Sequence, residues 1–354
     1  MGCQGQAVFC RGLSFFVKTN CVKKILCSVV FAGAAFMAKG QTDSVFSMQF
    51  EDVDSKPVKR YATQKIPGQI PNRFISIGYE YQGGHDFSAL PAPFPLTQHF
   101  TQAAGLRLAF AAPVVSTQKW IVNLVGSYWR TAYAGKDYSF PYPLYRPLKE
   151  AGLHSAGLSV NVFKPLNEKH FIYGQFNTDL NWMNQGKNNL DKDALTLSGN
   201  VIFGWKKSEN TLWGLGISRT YRLGRPLIIP ILLYNTNFNA KWGLETAFPA
   251  RAFLRRNLNK QSMLLAGYEL EGNQYALYNG ILPTTFLQRG EIKPRISYER
   301  SLYKFWWIAI QTGLRVNGRF NVTDRYNGEK ENEIIRTTLG NAFYFNVSLN
   351  LVSL

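Results

Sequence analysis

Residues 171–182, FIYGQFNTDLNW, decide the fold, because their side chains fall into two alternating sets. The mainly apolar set is Ile172, Gly174, Phe176, Thr178, Leu180 and Trp182, and the mainly polar set is Phe171, Tyr173, Gln175, Asn177, Asp179 and Asn181. A helix would mix these sets around its circumference, whereas a strand separates them onto opposite faces. The stretch therefore predicts a β-strand with one apolar and one polar face.

The same alternation recurs from Asn72 to the end of the chain. It is found in residues 75–81, 105–110, 157–162, 195–203, 213–218, 292–299 and 308–317. The segments are joined alternately by short and long polar connectors, as in barrels whose strands cross a membrane with lipid outside and a polar lumen inside. The sequence predicts an all-β fold, a transmembrane antiparallel up-and-down β-barrel over residues 72–354. Residues 227–236 are the exception, because they are apolar on both faces and contain Pro230.

The number of strands depends on residues 242–257, which contain Pro249. Taken as one long strand, they give twelve strands, and if Pro249 marks an outer turn they give fourteen. Twelve fits the length of the region better, within a range of 10–14. An even number places both termini in the periplasm.

Tryptophans lie near the ends of the predicted strands. Six are expected at the periplasmic side, namely Trp120, Trp205, Trp213, Trp242, Trp306 and Trp307, with Trp129 and Trp182 at the outer side. Aromatic rings favour the interface between membrane and water, so this placement predicts two aromatic belts.

The N-terminal 40 residues have the features of a secretory signal peptide. Lys23 and Lys24 precede the apolar run 25–37, which is too short to span a bilayer as a helix and is followed by Ala38-Lys39-Gly40, a small-x-small cleavage site. We expect cleavage after Gly40. Residues 1–21 add nothing to this signal, so the true start is alternatively Val22. Residues 41–71 show no period and are expected to form a periplasmic tail that folds up into the lumen.

Charge and cysteine content exclude several classes of function. The formal net charge is +18, but the basic residues are scattered and not clustered on a helix, so no nucleic-acid partner is expected. Outer-membrane lipid, lipopolysaccharide phosphates or a small anionic solute are the expected partners. All four cysteines lie in residues 1–27, so the remaining chain has no disulfide, thiolate metal site or cysteine nucleophile.

No catalytic constellation is evident, and the chain is not expected to be an enzyme. His85-Asp86 and His154-Ser155 are neighbours in sequence, and adjacent strand residues point to opposite faces. His99 and His170 have no metal-ligand spacing around them. We therefore predict no catalytic, cofactor or metal site.

The inward-facing charges are the most informative chemistry. The alternation assigns seven of them to the lumen: Arg107, Asp179, Glu291, Lys293, Arg295, Glu299 and Arg315. Charges of both signs either line an aqueous pore or pair to plug a narrow barrel. Large aromatic side chains inside favour a narrow or plugged lumen.

The last strand completes the pattern, with Phe343, Phe345 and Val347 on one face and Tyr344 and Asn346 on the other. In this strand and in the alternation before it, the chain resembles Gram-negative outer-membrane β-barrel proteins, most closely the uncharacterised families. The resemblance covers residues 72–354 and implies that the barrel-insertion machinery reads the last strand. The chain departs from the pattern in ending on Leu354 and not on an aromatic residue.

Three functions follow, in order of preference. The first is a passive channel for small solutes. The second is a structural or interaction barrel with a plugged lumen that contacts surface lipid or a partner. The third, which is disfavoured, is an outer-membrane enzyme acting on lipid.

Overall fold

The computed structural model describes residues 61–63, 66, 68–69, 71–90, 97–139, 144–184, 192–278 and 284–353. The expected signal peptide, the possible start at Val22 and most of the expected tail lie outside the described residues. No helix in the described part of the chain is long and apolar enough to cross a membrane.

Alternation along the chain produces strands throughout the described barrel region. They are β1 (Asn72–Gln82), β2 (His85–Leu90), β3 (Thr97–Ser116), β4 (Ile121–Gly135), β5 (Leu153–Pro165), β6 (His170–Asn184), β7 (Leu195–Ser208), β8 (Thr211–Thr220), β9 (Leu227–Asn237), β10 (Trp242–Phe248), β11 (Arg251–Asn259), β12 (Ser262–Tyr278), β13 (Thr285–Tyr303), β14 (Trp306–Thr323), β15 (Glu333–Leu339) and β16 (Ala342–Ser353). Helix α1 (Tyr145–Glu150) lies between β4 and β5.

Neighbouring strands pair antiparallel around a closed ring. The ring closes through β1, which pairs with both β3 and β16. The short strands β2 and β15 pair with each other and continue the walls above β1 and β16. Among the described residues the ring therefore has fourteen strands, and the predicted all-β antiparallel up-and-down barrel is confirmed.

The preferred number of twelve strands is wrong, and the alternative of fourteen is right. Pro249 and Ala250 form a turn between β10 and β11, which pair antiparallel from Trp242↔Arg256 to Ala247↔Arg251. Pro249 has no N–H to donate to a strand ladder, and it lies in this turn, where no ladder hydrogen bond is required of it. Residues 242–257 therefore form a tight hairpin and not one long strand.

Exposure separates the two faces of the strands as the alternation predicts, except at the long-loop ends of β12 and β13, where residues 274–278 and 286–291 are buried on both faces. On β1, Ile77 and Tyr79 are 51% and 58% exposed, whereas Glu80 is 4% exposed. On β16, Phe343 is 52% exposed and Tyr344 is 2% exposed. The apolar set faces outward, and the polar set faces the interior.

The tryptophans follow the expected pattern at one end of the barrel only. Six lie near the end that carries the short turns, where Trp205 and Trp213 stack with ring centroids 4.3 Å apart. Of these six, Trp307 is 3% exposed and packs inside with Met263 and Val352, so it does not belong to a belt. Trp129 departs from the expectation because β4 continues to Gly135, and the Trp129 ring lies inside, 4.4 Å from the guanidinium carbon of Arg107. Its assignment to an outer belt is wrong.

The wall of the barrel differs greatly in height around the ring. Strands β12, β13 and β14 have 17, 19 and 18 residues, whereas β9, β10 and β11 have 11, 7 and 9. The turns at the short-turn end are all short, so the difference appears at the opposite, long-loop end. We call the long-loop edge of β10 and β11, with the turn at Pro249 and Ala250, the low rim.

Substitutions at two glycines test whether the close approach of neighbouring strands in the wall requires a residue without a Cβ. A Cβ at Gly105 would lie 1.5 Å from the carbonyl oxygen of Arg130, whereas a Cβ at Gly174 would meet nothing closer than 4.0 Å. We expect Gly105→Ala to lower the free energy of unfolding by about 1–3 kcal/mol, as other overpacked sites do. Gly174→Ala is the control and should change it little. Urea unfolding in liposomes measures both, and equal effects would contradict the close approach.

Candidate functional site

The interior is divided by a contact between two strands that are distant in sequence. The long-loop ends of β6 and β12 pair in parallel, with Ala276 opposite Trp182 and Leu277 opposite Met183. The strands β7–β11 lie to one side of this contact, and the tall strands lie to the other. The division creates two compartments with different contents.

An apolar cluster fills the long-loop end of the tall compartment. It comprises Phe87, Ala89, Phe100, Ala103, Tyr133, Leu144, Tyr145, Leu148, Leu153, Met183, Tyr275, Leu277, Leu287, Phe320, Val322 and Leu339. Helix α1 contributes Tyr145, whose ring stacks on Phe100 at 4.6 Å and whose hydroxyl lies 3.0 Å from the carbonyl oxygens of both His99 and Lys136, either of which can accept its hydrogen bond. We call this cluster the aromatic cap.

Loosening helix α1 should not open the tall compartment. Leu148 on α1 is fully buried in the aromatic cap, and truncating a buried leucine costs about 2–5 kcal/mol. We expect Leu148→Ala to loosen α1 and to speed proteolysis of residues 136–152. Ion flux should stay at the level of the unmodified chain, because the charged layer below is intact. An increase in flux would show that the aromatic cap alone closes this compartment.

Below the aromatic cap lies a layer of six paired charges. Lys293 Nζ lies 2.9 Å from Glu271, 3.1 Å from Glu80 and 3.1 Å from Glu291. Arg107 lies 2.8 Å from Glu80 and 3.0 Å from Glu271, and Arg289 lies 3.0 Å from Glu291. Three carboxylates and three cations balance, as buried charges require. We call these six residues the charge cluster.

Three of the seven predicted lumen residues, Arg107, Glu291 and Lys293, come together in the charge cluster. Arg315 is also fully buried, and its Nη2 donates to the carbonyl oxygen of Gly340 at 2.5 Å. Arg315 does not lie opposite Glu291, because β13 and β14 turn at Lys304 and Phe305, and the resulting register pairs Glu291 with Asn317.

The other three predicted residues lie apart from the charge cluster. Arg295 pairs with Glu269 at 2.7 Å, and Glu299 pairs with Arg73 at 2.5 Å. Asp179 lies on β6, and its backbone carbonyl accepts a hydrogen bond from the Thr196 hydroxyl. The structure therefore groups the seven into a central set and a peripheral set.

Sequence reasoning missed three members of the charge cluster, Glu80, Glu271 and Arg289. Glu80 stands on the inward set of β1, so the alternation already held the signal. In β12, Glu269 and Glu271 are two positions apart, so the alternation places both side chains on one face of the strand. The contacts between these residues could not be predicted from spacing in the sequence, because the partners are far apart along the chain: Glu80 and Lys293 are separated by 213 positions.

The second compartment, beside β5–β11, contains a cavity of about 600 Å³. Its apolar lining includes Ile202, Ile229, Ile231, Leu233, Phe253 and Leu265, and its polar lining includes Gln175, Asn200, Ser218, Arg251, Glu269 and Arg295. The cavity is therefore lined by both apolar and polar side chains. We call it the lateral cavity.

The lateral cavity explains the strand that is apolar on both faces. Ile229, Ile231 and Leu233 of β9 line the cavity, whereas Ile228 is 76% exposed on the outside. An aqueous lumen would favour polar residues at the inward positions. The inner face of β9 is therefore more apolar than expected for a lumen that holds only water.

The described part of the expected tail lies at the short-turn end of the lateral cavity. Ala62 and Ile66 are each 2% exposed and pack with Phe163, Phe171 and Leu212. The Ala62 N–H donates to the Asn167 carbonyl at 2.8 Å. We call the described residues here, 61–63, 66, 68, 69 and 71, the tail segment.

The tail segment crosses the barrel mouth closely enough to require a glycine. Gly68 has φ +75°, and a Cβ there would lie 3.2 Å from Asn257 Nδ2. Gln69 and Pro71 follow it and line the lateral cavity. The tail segment therefore covers this end of the cavity.

At the long-loop end the connector 221–226 folds over part of the cavity. Leu223 forms a β-bridge with Gly290, and Arg222 Nη1 donates to the Leu270 carbonyl at 2.5 Å. The remaining edge of the cavity is formed by Ala250 and Arg251 of the low rim. The lateral cavity thus extends from the tail segment to the low rim.

The histidines do not form a catalytic group. His99 Nδ1 lies 2.8 Å from Asp86 in an exposed pair, while His85 is buried beside Phe100 and Tyr133. His154 stacks on Trp182. Within the described residues there is no group of three or more His, Cys, Asp or Glu arranged to hold a metal ion.

A family model described as a domain of unknown function (DUF6268) matches residues 116–352. No curated protein matches the chain.

Among solved structures, the chain is similar to a FadL homologue from Pseudomonas aeruginosa, with 10% identity, a TM-score of 0.37 and coverage of 79% of this chain and 90% of that chain. It is also similar to an outer membrane channel from Pseudomonas putida F1, with 11% identity, a TM-score of 0.36 and coverage of 82% and 100%. The translocator domain of autotransporter NalP from Neisseria meningitidis has 8% identity and a TM-score of 0.31, with coverage of 81% and 90%. Each is a Gram-negative outer-membrane β-barrel.

Proposed function

The chain belongs to the DUF6268 family, and we propose that it is an outer-membrane barrel that conducts small solutes through one side of its interior. The lateral cavity carries this proposal, because it extends from the tail segment at one end to the low rim at the other. The tall compartment is filled by the aromatic cap and the charge cluster. Solutes would therefore pass beside β5–β11 and not through the barrel axis.

Membrane placement is supported by the outer surface of the barrel. Ile77, Leu215, Ile217, Ile296 and Phe343 are each at least half exposed and apolar. Such a continuous apolar surface is unfavourable in water and is typical of a lipid-facing band. The short turns and both termini would lie in the periplasm, the long loops would contact lipopolysaccharide, and the insertion machinery would read β16.

Neighbouring residues on opposite faces of β6 allow a direct test of conduction. Gln175 lines the lateral cavity, and Phe176 is 55% exposed on the outside. In liposomes, the chain should admit small solutes with a sharp upper size limit. Gln175→Trp should reduce this flux several-fold, whereas Phe176→Trp should leave it unchanged, because a lipid-facing indole does not enter the cavity. Flux that is absent, or equal in the two variants, would reject the conduit.

A second function is favoured by the closure of the tall compartment. A barrel whose buried charges pair with one another and whose aromatic residues pack together is suited to a structural or interaction role at the cell surface. Absence of solute flux together with co-purification of a tightly bound lipid or protein would support this role. An enzymatic role finds no support in the arrangement of the histidines.

A further inference from the structure

The lateral cavity has a largely apolar wall on β9. Ile229, Ile231 and Leu233 provide an apolar side on β9, and Phe253 extends it on β11. Binding sites for organic molecules are typically apolar surfaces with a few placed polar groups. This wall matches a ligand with an apolar body.

A cation stands at the edge of this apolar side. Arg251 lines the lateral cavity at the low rim and is exposed. The neighbouring Arg295 and Arg222 are both engaged with Glu269, at 2.7 Å and 3.8 Å. Arg251 lies opposite Glu269 in the strand pairing but forms no direct ion pair among the described residues, since the Glu269 carboxylate contacts Arg295 and Arg222. An available guanidinium at the entrance favours a ligand with an anionic end.

The low rim is too low to reach the outer interface. Trp242 lies at the short-turn end with the other tryptophans, and Phe248 ends the same strand. At about 3.3 Å per residue and a tilt of about 40°, Phe248 stands only about 15 Å above Trp242, against an apolar band about 25 Å tall. The low rim therefore lies among the acyl chains of the outer leaflet.

The turn at the low rim is built for an apolar environment. Phe248 is 54% exposed, and the turn that follows consists of Pro249 and Ala250. Backbone groups in the hydrocarbon region need internal partners. Pro249 has no N–H, Phe248 pairs with Leu232, and the Ala250 carbonyl accepts from the Leu270 N–H at 2.8 Å.

We propose that the lateral cavity binds an amphipathic organic anion, which enters from the outer leaflet over the low rim. The apolar body lies against Ile229, Ile231 and Leu233, and the anionic end pairs with Arg251. This inference rests on the proposed membrane placement of the barrel, and it names the class of solute that the conduit takes.

Ligand class is tested by equilibrium binding to the full chain in lipid nanodiscs, with empty nanodiscs as background. The probes are naphthalenesulfonate, which is anionic, and naphthol, which is neutral. Ile231→Asn should weaken binding of both probes by about tenfold, since it removes apolar contact in a pocket, and Ile231→Leu should restore it. Arg251→Gln should weaken only the sulfonate. No saturable binding, or binding that neither variant changes, would overturn the assignment of the ligand.

The route is tested by measuring the depth of the low rim. With the four native cysteines changed to serine, spin labels are placed at Phe248→Cys and, as a reference, at Arg146→Cys on exposed α1. In liposomes, the label at 248 should collide with oxygen and be shielded from a water-soluble nickel chelate, and the label at 146 should show the reverse. Equal access of the chelate to both positions would overturn lateral entry.

The outcomes separate this inference from the conduit itself. Saturable, variant-sensitive binding without solute flux would reject conduction and retain the binding site. Flux of small polar solutes without probe binding would retain the conduit and reject the amphipathic ligand.

Discussion

Replacing Lys293 by methionine should lower the free energy of unfolding of the barrel by about 3–5 kcal/mol, the range found when one partner of a buried ion pair is removed. The Lys293 side chain is 1% exposed and contacts three carboxylates, those of Glu80, Glu271 and Glu291. Without it, Arg107 and Arg289 alone must balance three buried negative charges. The penalty arises from the uncompensated carboxylate and not from lost volume, because methionine is nearly as long as lysine.

Urea unfolding of the barrel in liposomes measures this effect. Lys260→Met, at an exposed turn position, is the matched control and should change stability little. Combining Lys293→Met with Glu80→Gln should recover part of the loss, because the second change removes an unpaired charge. A loss for Lys293→Met no larger than that for Lys260→Met would show that the cluster does not depend on this ammonium group.

Deleting residues 59–70 should raise solute flux several-fold and leave the barrel assembled. Ala62 and Ile66 of this segment bury their side chains against Phe163, Phe171 and Leu212 at the short-turn end. The strands themselves begin at Asn72, so the deletion removes none of the ring pairings. Single-channel recording in planar bilayers and solute uptake by liposomes measure the change.

A shorter deletion supplies the control for the tail segment. Removing residues 41–58 leaves Ala62, Ile66 and Gly68 in place, so flux should stay at the level of the full chain. Ile66→Asp should act like the longer deletion, because a charge is disfavoured in the apolar contact with Phe163 and Phe171. If the longer deletion and Ile66→Asp both left flux unchanged, the tail segment would not be the barrier.

The faces of the strands could be predicted from the sequence because each face is decided locally. The alternation in residues 75–81 assigns Tyr79 and Glu80 to opposite sides without any knowledge of their neighbours, and the structure places them so. The number of strands depended on a single proline. The length of the chain favoured one long strand through Pro249, whereas the hydrogen-bonding chemistry of proline favoured a turn.

The candidate site could be predicted only in part, because it depends on contacts across the ring. Inward charges such as Lys293 and Arg107 follow from alternation, but their shared contacts with Glu80 and Glu271 follow from register and curvature. The lateral cavity depends on the contact between β6 and β12, which no local pattern encodes. Its one local sign was β9, whose inward Ile229 and Ile231 departed from the expected alternation.

The parallel contact between β6 and β12 also determines how many strands enclose each end of the barrel, and therefore how wide each end is. At the short-turn end the circumference is fourteen strands, but at the long-loop end the contact leaves out β7–β11 and closes a ring of nine. A ring of about eight strands is just wide enough for its own side chains to fill. The aromatic cap is therefore a geometric consequence of the narrowed circumference, and enlarging residues there would strain the wall without closing any passage.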